Sequence, residues 1–137
     1  MTVKPSELSV ALDQAQEAIG KLDYPKANQL LEDAIRSRAE ATPELEMARL
    51  LLAETSLVVG RWERAQRELD RLVESAENPE VKVRSLLGQG EVFSMRGESE
   101  QSRDFIHKAR TAVEAAGLKR LELMCVGSQI ALAGQTG

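Results

Sequence analysis

The stretch Gly60-Arg61-Trp62-Glu63-Arg64-Ala65-Gln66-Arg67-Glu68-Leu69 decides the fold. Glycine enters the left-handed conformation without steric cost, so it is the usual residue just past a helix end. Behind it, Trp62, Ala65 and Leu69 recur at intervals of three and four, on one face of a new helix. The positions between them are polar and mixed in sign. Glu63 and Arg67, and Arg64 and Glu68, are spaced for pairing along the helix surface. Each such pair is worth only about 0.2–0.5 kcal/mol, so this face is expected to be solvated. One helix ends, the chain turns on a glycine, and an amphipathic helix returns.

Degraded copies of this phrase lie on both sides. Ala65 aligns with Ala27, 38 residues earlier, and with Ser102, 37 residues later. Twelve residues upstream of each stands another small residue, Ala15, Ala53 and Gly90, and Gly127 continues that series one period on. Leu31, Leu69 and Ile106 follow the first set by four, and Ala34, Leu72 and Ala109 by seven. Tyr24, Trp62 and Ser99 precede it by three. A small residue on each of two antiparallel helices lets their backbones approach at the crossing, where helix axes ordinarily lie about 8–10 Å apart. The aromatic residue is expected to plug the gap above that crossing.

Helix punctuation agrees with the period. Ser6 is placed to cap a first helix carrying Leu8, Leu12, Ala15 and Ile19, which Gly20 and Asp23 close. Pro25 opens a second helix with Ala27, Leu30, Leu31, Ala34 and Ile35 on one face. Thr42-Pro43-Glu44 and Asn78-Pro79-Glu80 each supply a cap, a first-turn proline and an acid. They begin helices that run to Gly60 and Gly97. Helices are expected from Trp62 to about Ala76, and from about Ser99 to Ala116 with Gly117 as the stop. A seventh, strongly apolar helix is expected over 118–133, with Gln135-Thr136-Gly137 fraying. The repeats then span 6–41, 42–77 and 78–117 of a single domain, 1–137.

Composition narrows the functional classes. Ala, Leu, Glu, Arg and Gln favour helix, and aromatic residues make up only 3%. A net charge of −4 disfavours nonspecific attraction to nucleic acid or anionic membrane. Cys125 is the only cysteine and His107 the only histidine, so neither a disulfide nor a Cys- or His-based metal site is expected. Met1–Ser9 contains no apolar run of signal-peptide length, and no stretch reaches membrane-spanning length; the cytoplasm is the expected location. Ser9, Ser56 and Ser85 have no His and Asp partners in evident register, and no Gly-rich phosphate loop occurs. Arg61, Arg64, Arg67 and Arg71 form a basic row, but Glu63, Glu68, Asp70 and Glu74 interleave with it, as in a solvated face.

Paired small residues, an aromatic ahead of the second, and Gly-x-aromatic at the turn resemble the tetratricopeptide repeat (TPR) family. Gly60-Arg61-Trp62-Glu63-Arg64-Ala65 is the nearest match. Gly97 to Ser102 keeps the glycine without the aromatic, and Asp23-Tyr24 with Ala27 keeps the aromatic without the glycine. The resemblance implies an all-α, right-handed superhelix of three antiparallel helix pairs with a seventh, capping helix. The TPR period is about 34 residues, whereas this one is 37–38 with a constant twelve inside each pair. About one extra helical turn therefore lies between pairs, expected as longer second helices or longer connections.

The resemblance also implies that the first helices of the pairs line a concave groove. Its positions fall on Leu12, Asp13 and Gln16; on Leu50, Leu51, Glu54, Leu57 and Val58; and on Leu87, Glu91 and Met95. The second group makes its helix apolar nearly all round, as in a helix covered on every side by neighbours or one lining a hydrophobic partner groove. The types at these positions do not suit a clamp for a peptide's terminal carboxylate. The expected function is noncatalytic: holding a peptide or helix of a partner protein in an apolar, partly acidic groove, with no cofactor. Two alternatives stand beside it. One is a self-associating scaffold, using the groove or the last helix through Leu121, Met124, Cys125 and Ile130. The other is a small secretion-type chaperone.

Overall fold

The computed structural model describes residues 7–36 and 42–117. It contains six helices and, among the described residues, no strand: α1 (Glu7–Gly20), α2 (Tyr24–Arg36), α3 (Pro43–Val58), α4 (Trp62–Ser75), α5 (Pro79–Met95) and α6 (Ser99–Ala116). Ser6 and the seventh helix expected over 118–133 lie outside the described residues. The chain divides into two compact units, 1–68 and 69–137, and the division falls within α4.

The helix starts follow their caps. Thr42 Oγ1 accepts from the Leu45 N–H at 3.1 Å, and Asn78 Oδ1 accepts from Glu80 at 2.9 Å and Val81 at 3.4 Å. Proline opens each helix behind these caps, where its missing N–H removes no intrahelical bond.

The three turns inside the pairs are copies of one another. Each crosses two backbone hydrogen bonds over the end of the first helix, the arrangement that satisfies its last carbonyls. The N–H groups of Leu22 and Asp23 donate to Ile19 and Ala18 at 2.9 and 2.8 Å. Gly60 and Arg61 donate to Leu57 and Ser56 at 3.3 and 2.8 Å, and Gly97 and Glu98 to Ser94 and Phe93 at 3.0 and 2.9 Å. The middle residue is left-handed in all three: Leu22 at φ 60°, Gly60 at 85°, Gly97 at 76°. Their offsets, 60 − 22 = 38 and 97 − 60 = 37, reproduce the sequence period in backbone geometry. Where the first copy lacks glycine, a leucine has been forced into glycine's conformation.

The small residues lie where helices touch. Ala15, Ala27, Ala53, Ala65 and Ser102 are completely buried, and Gly90 is buried with them. In the third pair Ser102 Oγ donates to the Gly90 carbonyl at 2.7 Å, twelve residues away on the facing helix. A Cβ on Gly90 would stand 3.0 Å from Ile106 Cγ1 and 3.4 Å from the Ser102 carbonyl. In the second pair Arg49 on α3 meets Glu68 on α4 at 3.1 Å. Ala53 lies one turn beyond Arg49 and Ala65 one turn before Glu68, so both are nearer the turn on the same antiparallel pairing.

In the first unit, α2 packs on α1 and α3. Leu8, Ala15, Ala18, Ala27, Leu31, Ile35, Leu45, Ala48, Leu51 and Leu52 form its core. In the second unit, α5 and α6 pack through Val83, Leu86, Ala109 and Val113. The Phe93 and Phe105 rings stack there at 5.3 Å.

Two sequence expectations change and one is met in part. Among the second helices only α6 is long, at 18 residues; α2 and α4 have 13 and 14, against 16 and 17 in the first helices α3 and α5. Ala53 is preceded by ten helical residues and Gly90 by eleven, while α4 joins α5 through only residues 76–78. Next, Arg64 and Glu68 do not pair along α4. Arg64 crosses to Glu32 on α2 at 3.0 Å and Glu68 to Arg49 on α3, because half-buried partners on a packed helix outcompete a solvated neighbour. Finally, Trp62 is 43% exposed, so its ring covers the crossing incompletely.

Candidate functional site

The positions implied for a groove separate by exposure. In the first unit, Leu12 packs against the core from a half-buried position, and its neighbour Asp13 and Gln16, one turn on, face solvent. On α3, Leu50, Leu51 and Leu57 are buried at 0, 7 and 6% exposure, Glu54 is half-buried, and Val58 stands out at 59%. The three leucines therefore serve packing in this structure, and the surface of α3 open to a partner is small. In the second unit, Leu87 leans on the core, while Glu91 and Met95 are exposed. These three recur at intervals of four and make one line on α5. Much of the rest of α5 is enclosed: Val81, Val83, Ser85, Leu86, Gly88, Gln89, Gly90 and Val92 are buried, while Lys82 is exposed near its start. Leu121, Met124, Cys125 and Ile130 lie outside the described residues.

A polar cluster invisible to the apolar period sits between α2, α3 and the start of α4. Asn28 is almost fully buried, and its amide donates to Ser56 Oγ at 2.8 Å, Thr55 Oγ1 at 3.0 Å and the Leu52 carbonyl at 3.4 Å. Thr55 in turn donates to the Leu51 carbonyl at 2.8 Å. Asn28 Oδ1 accepts from Arg61 Nη1 at 3.2 Å, which closes the network. The same Arg61 nitrogen lies 3.3 Å from Glu32 Oε2, while Arg64 and Arg36 reach Oε1 at 3.0 and 3.5 Å. One carboxylate is shared by three guanidinium groups. One signal for it was present: Asn28 falls in the stripe of Ala27, Leu31 and Ile35, where a polar residue must be hydrogen-bonded once buried.

The chemistry candidates are dispersed. His107 is exposed on α6, and Ser85 is fully buried within α5, out of reach of a substrate. Among the described residues no group of three or more His, Cys, Asp or Glu could hold a metal ion. No described helix is long and apolar enough to cross a membrane. An open cleft of about 290 Å³ lies between α1 and α2, lined by Gln14, Glu17, Ala18, Lys21, Asp23, Lys26 and Leu30. Glu17 and Lys21 pair across its rim at 3.1 Å, and the Asp23 carboxylate caps Lys26, so its charges already serve the helices. The elements are all-helical hairpins whose buried polar groups hold helix to helix. Compared with known proteins, the chain matches no family model and no curated relative.

Proposed function

We propose that the chain is a noncatalytic interaction module of tetratricopeptide type, which holds a peptide or helix of a partner protein against the outward faces of its hairpins. The observation that carries this reading is the row Leu87, Glu91 and Met95. It runs along α5 from the half-buried Leu87 to the exposed Glu91 and Met95, and it mixes apolar and acidic groups. Gln16, the position on α1 that matches Glu91, is exposed, and Asp13 is exposed beside it on the chain. The three superimposable turns support the repeat assignment, because a solenoid needs one supersecondary unit copied in register.

A photo-crosslinking residue at Met95, compared with one at the exposed Arg67, tests the proposal. A specific adduct with another protein from Met95 alone is expected. An adduct of twice the chain mass would favour self-association. Equal labelling from both positions, or none from Met95, would contradict the proposal.

A further inference from the structure

The turn end of the first unit combines two features that, Val58 apart, lie outside the implied groove positions. Asn28, in the second turn of α2, bonds to the last turns of α3. The α1–α2 turn and the α3–α4 turn therefore lie at the same end of this unit. Three of its exposed large apolar residues are there: Leu22 at 73%, Val58 at 59% and Trp62 at 43%. Leu22 is doubly unusual. It holds the left-handed conformation that glycine holds in the other two turns, and it projects an apolar side chain into water. Strain retained at an exposed position marks a candidate functional residue.

Beside Trp62 begins the guanidinium cluster, which runs along α2 to Arg36 at its C-terminal end. Arg36, Arg61 and Arg64 surround the single Glu32 carboxylate, leaving the four groups with a net positive charge of two. Their side chains are 71, 53 and 35% exposed while that of Glu32 is 14% exposed, so the excess charge faces outward. Arg64 Nε is buried without a hydrogen-bond partner. Arg61 adjoins Trp62 and follows Val58 by three residues, so charge and apolar surface are contiguous. The N-terminus of α4 adds its partial positive charge at the same place, against one exposed acid, Glu63, in its first turn.

We infer that this end of the first unit docks an acidic amphipathic segment of a partner protein. Leu22, Val58 and Trp62 take its apolar side, and the three arginines take its carboxylates. This surface is built from residues of the first unit alone and the α5 row from residues of the second, so crosslinking at Met95 and binding here are read on different residues and can fail independently.

Trp62 is the only tryptophan, so its emission reports occupancy. The full chain is titrated with a synthetic amphipathic helix of Leu and Glu, with its Leu and Lys counterpart, and with phosphatidylserine vesicles. The Leu/Glu peptide is expected to shift Trp62 emission to the blue, with affinity falling as salt is raised. The Leu/Lys peptide and the vesicles are expected to leave the emission in place. Arg36→Glu, at an exposed side chain, should weaken the Leu/Glu peptide about fivefold. Leu22→Gly, which keeps the turn's backbone, should weaken it about tenfold. Equal response to both peptides, a response to vesicles matching that to the Leu/Glu peptide, no shift with any probe, or unchanged affinity in Leu22→Gly would each overturn the inference.

Discussion

Leu22 shows how one residue can carry a repeat's geometry against its own preference. Its left-handed backbone costs about 1–2 kcal/mol relative to the right-handed region. Glycine removes that strain but brings about 0.5–1 kcal/mol of additional chain entropy to lose on folding. Because the side chain is 73% exposed, little burial is forfeited. Leu22→Gly should therefore stabilise the fold by about 0.5–1 kcal/mol, readable as a higher urea midpoint. A lower midpoint would mean that the leucine contributes packing absent from this structure. Glu68 makes a second residue-level test. Its carboxylate and its partner Arg49 are only 15 and 18% exposed, whereas Glu63 is open to solvent. Glu68→Ala should cost about 1–3 kcal/mol and Glu63→Ala less than about 0.5 kcal/mol. Equal effects would restore the solvated reading of α4.

At the scale of the element, packing decides what a glycine is for. Gly20 ends α1 with open space around it, so Gly20→Ala should be neutral or mildly stabilising. Gly90 lies mid-helix, where alanine would gain about 1 kcal/mol in propensity. Its added methyl group meets Ile106 and the Ser102 carbonyl, and the Ser102 hydroxyl holds the two backbones at that distance. Overpacking of this kind costs about 1–3 kcal/mol, so Gly90→Ala should lower stability by about 1 kcal/mol in chemical denaturation. Ala65→Leu at a completely buried position should cost about 1–3 kcal/mol by the same argument. An unchanged melting curve for Ala65→Leu would refute the helix register.

Helix ends and register were legible because they are local. Thr42-Pro43 and Asn78-Pro79 announce their caps, and Gly60, Gly97 and Gly117 announce their stops. What stayed hidden depends on partners far along the chain. Arg61 and Arg64 reach Asn28 and Glu32 across 29 to 33 positions of the chain, and no periodicity encodes which polar group a folded helix will meet. Similarly, the all-round apolar pattern of α3 fits either an enclosed helix or a lined groove. Only the observed burial of Leu50, Leu51 and Leu57 distinguishes their packing role from the exposure of Val58.

Along the chain, one turn geometry is written three times with a period of 37 or 38, and each copy keeps its small residues buried. The long helices are α3, α5 and α6, with 16, 17 and 18 residues, while the spacing of twelve inside each pair stays constant. The central claim is that Ala15 meets Ala27, and Ala53 meets Ala65, as Gly90 meets Ser102. Methyl-to-methyl nuclear Overhauser spectroscopy on the alanine-labelled chain tests it most directly. Cross-peaks joining Ala15 to Ala27 and Ala53 to Ala65 are predicted; their absence, with both methyl groups of either pair assigned, would contradict the account.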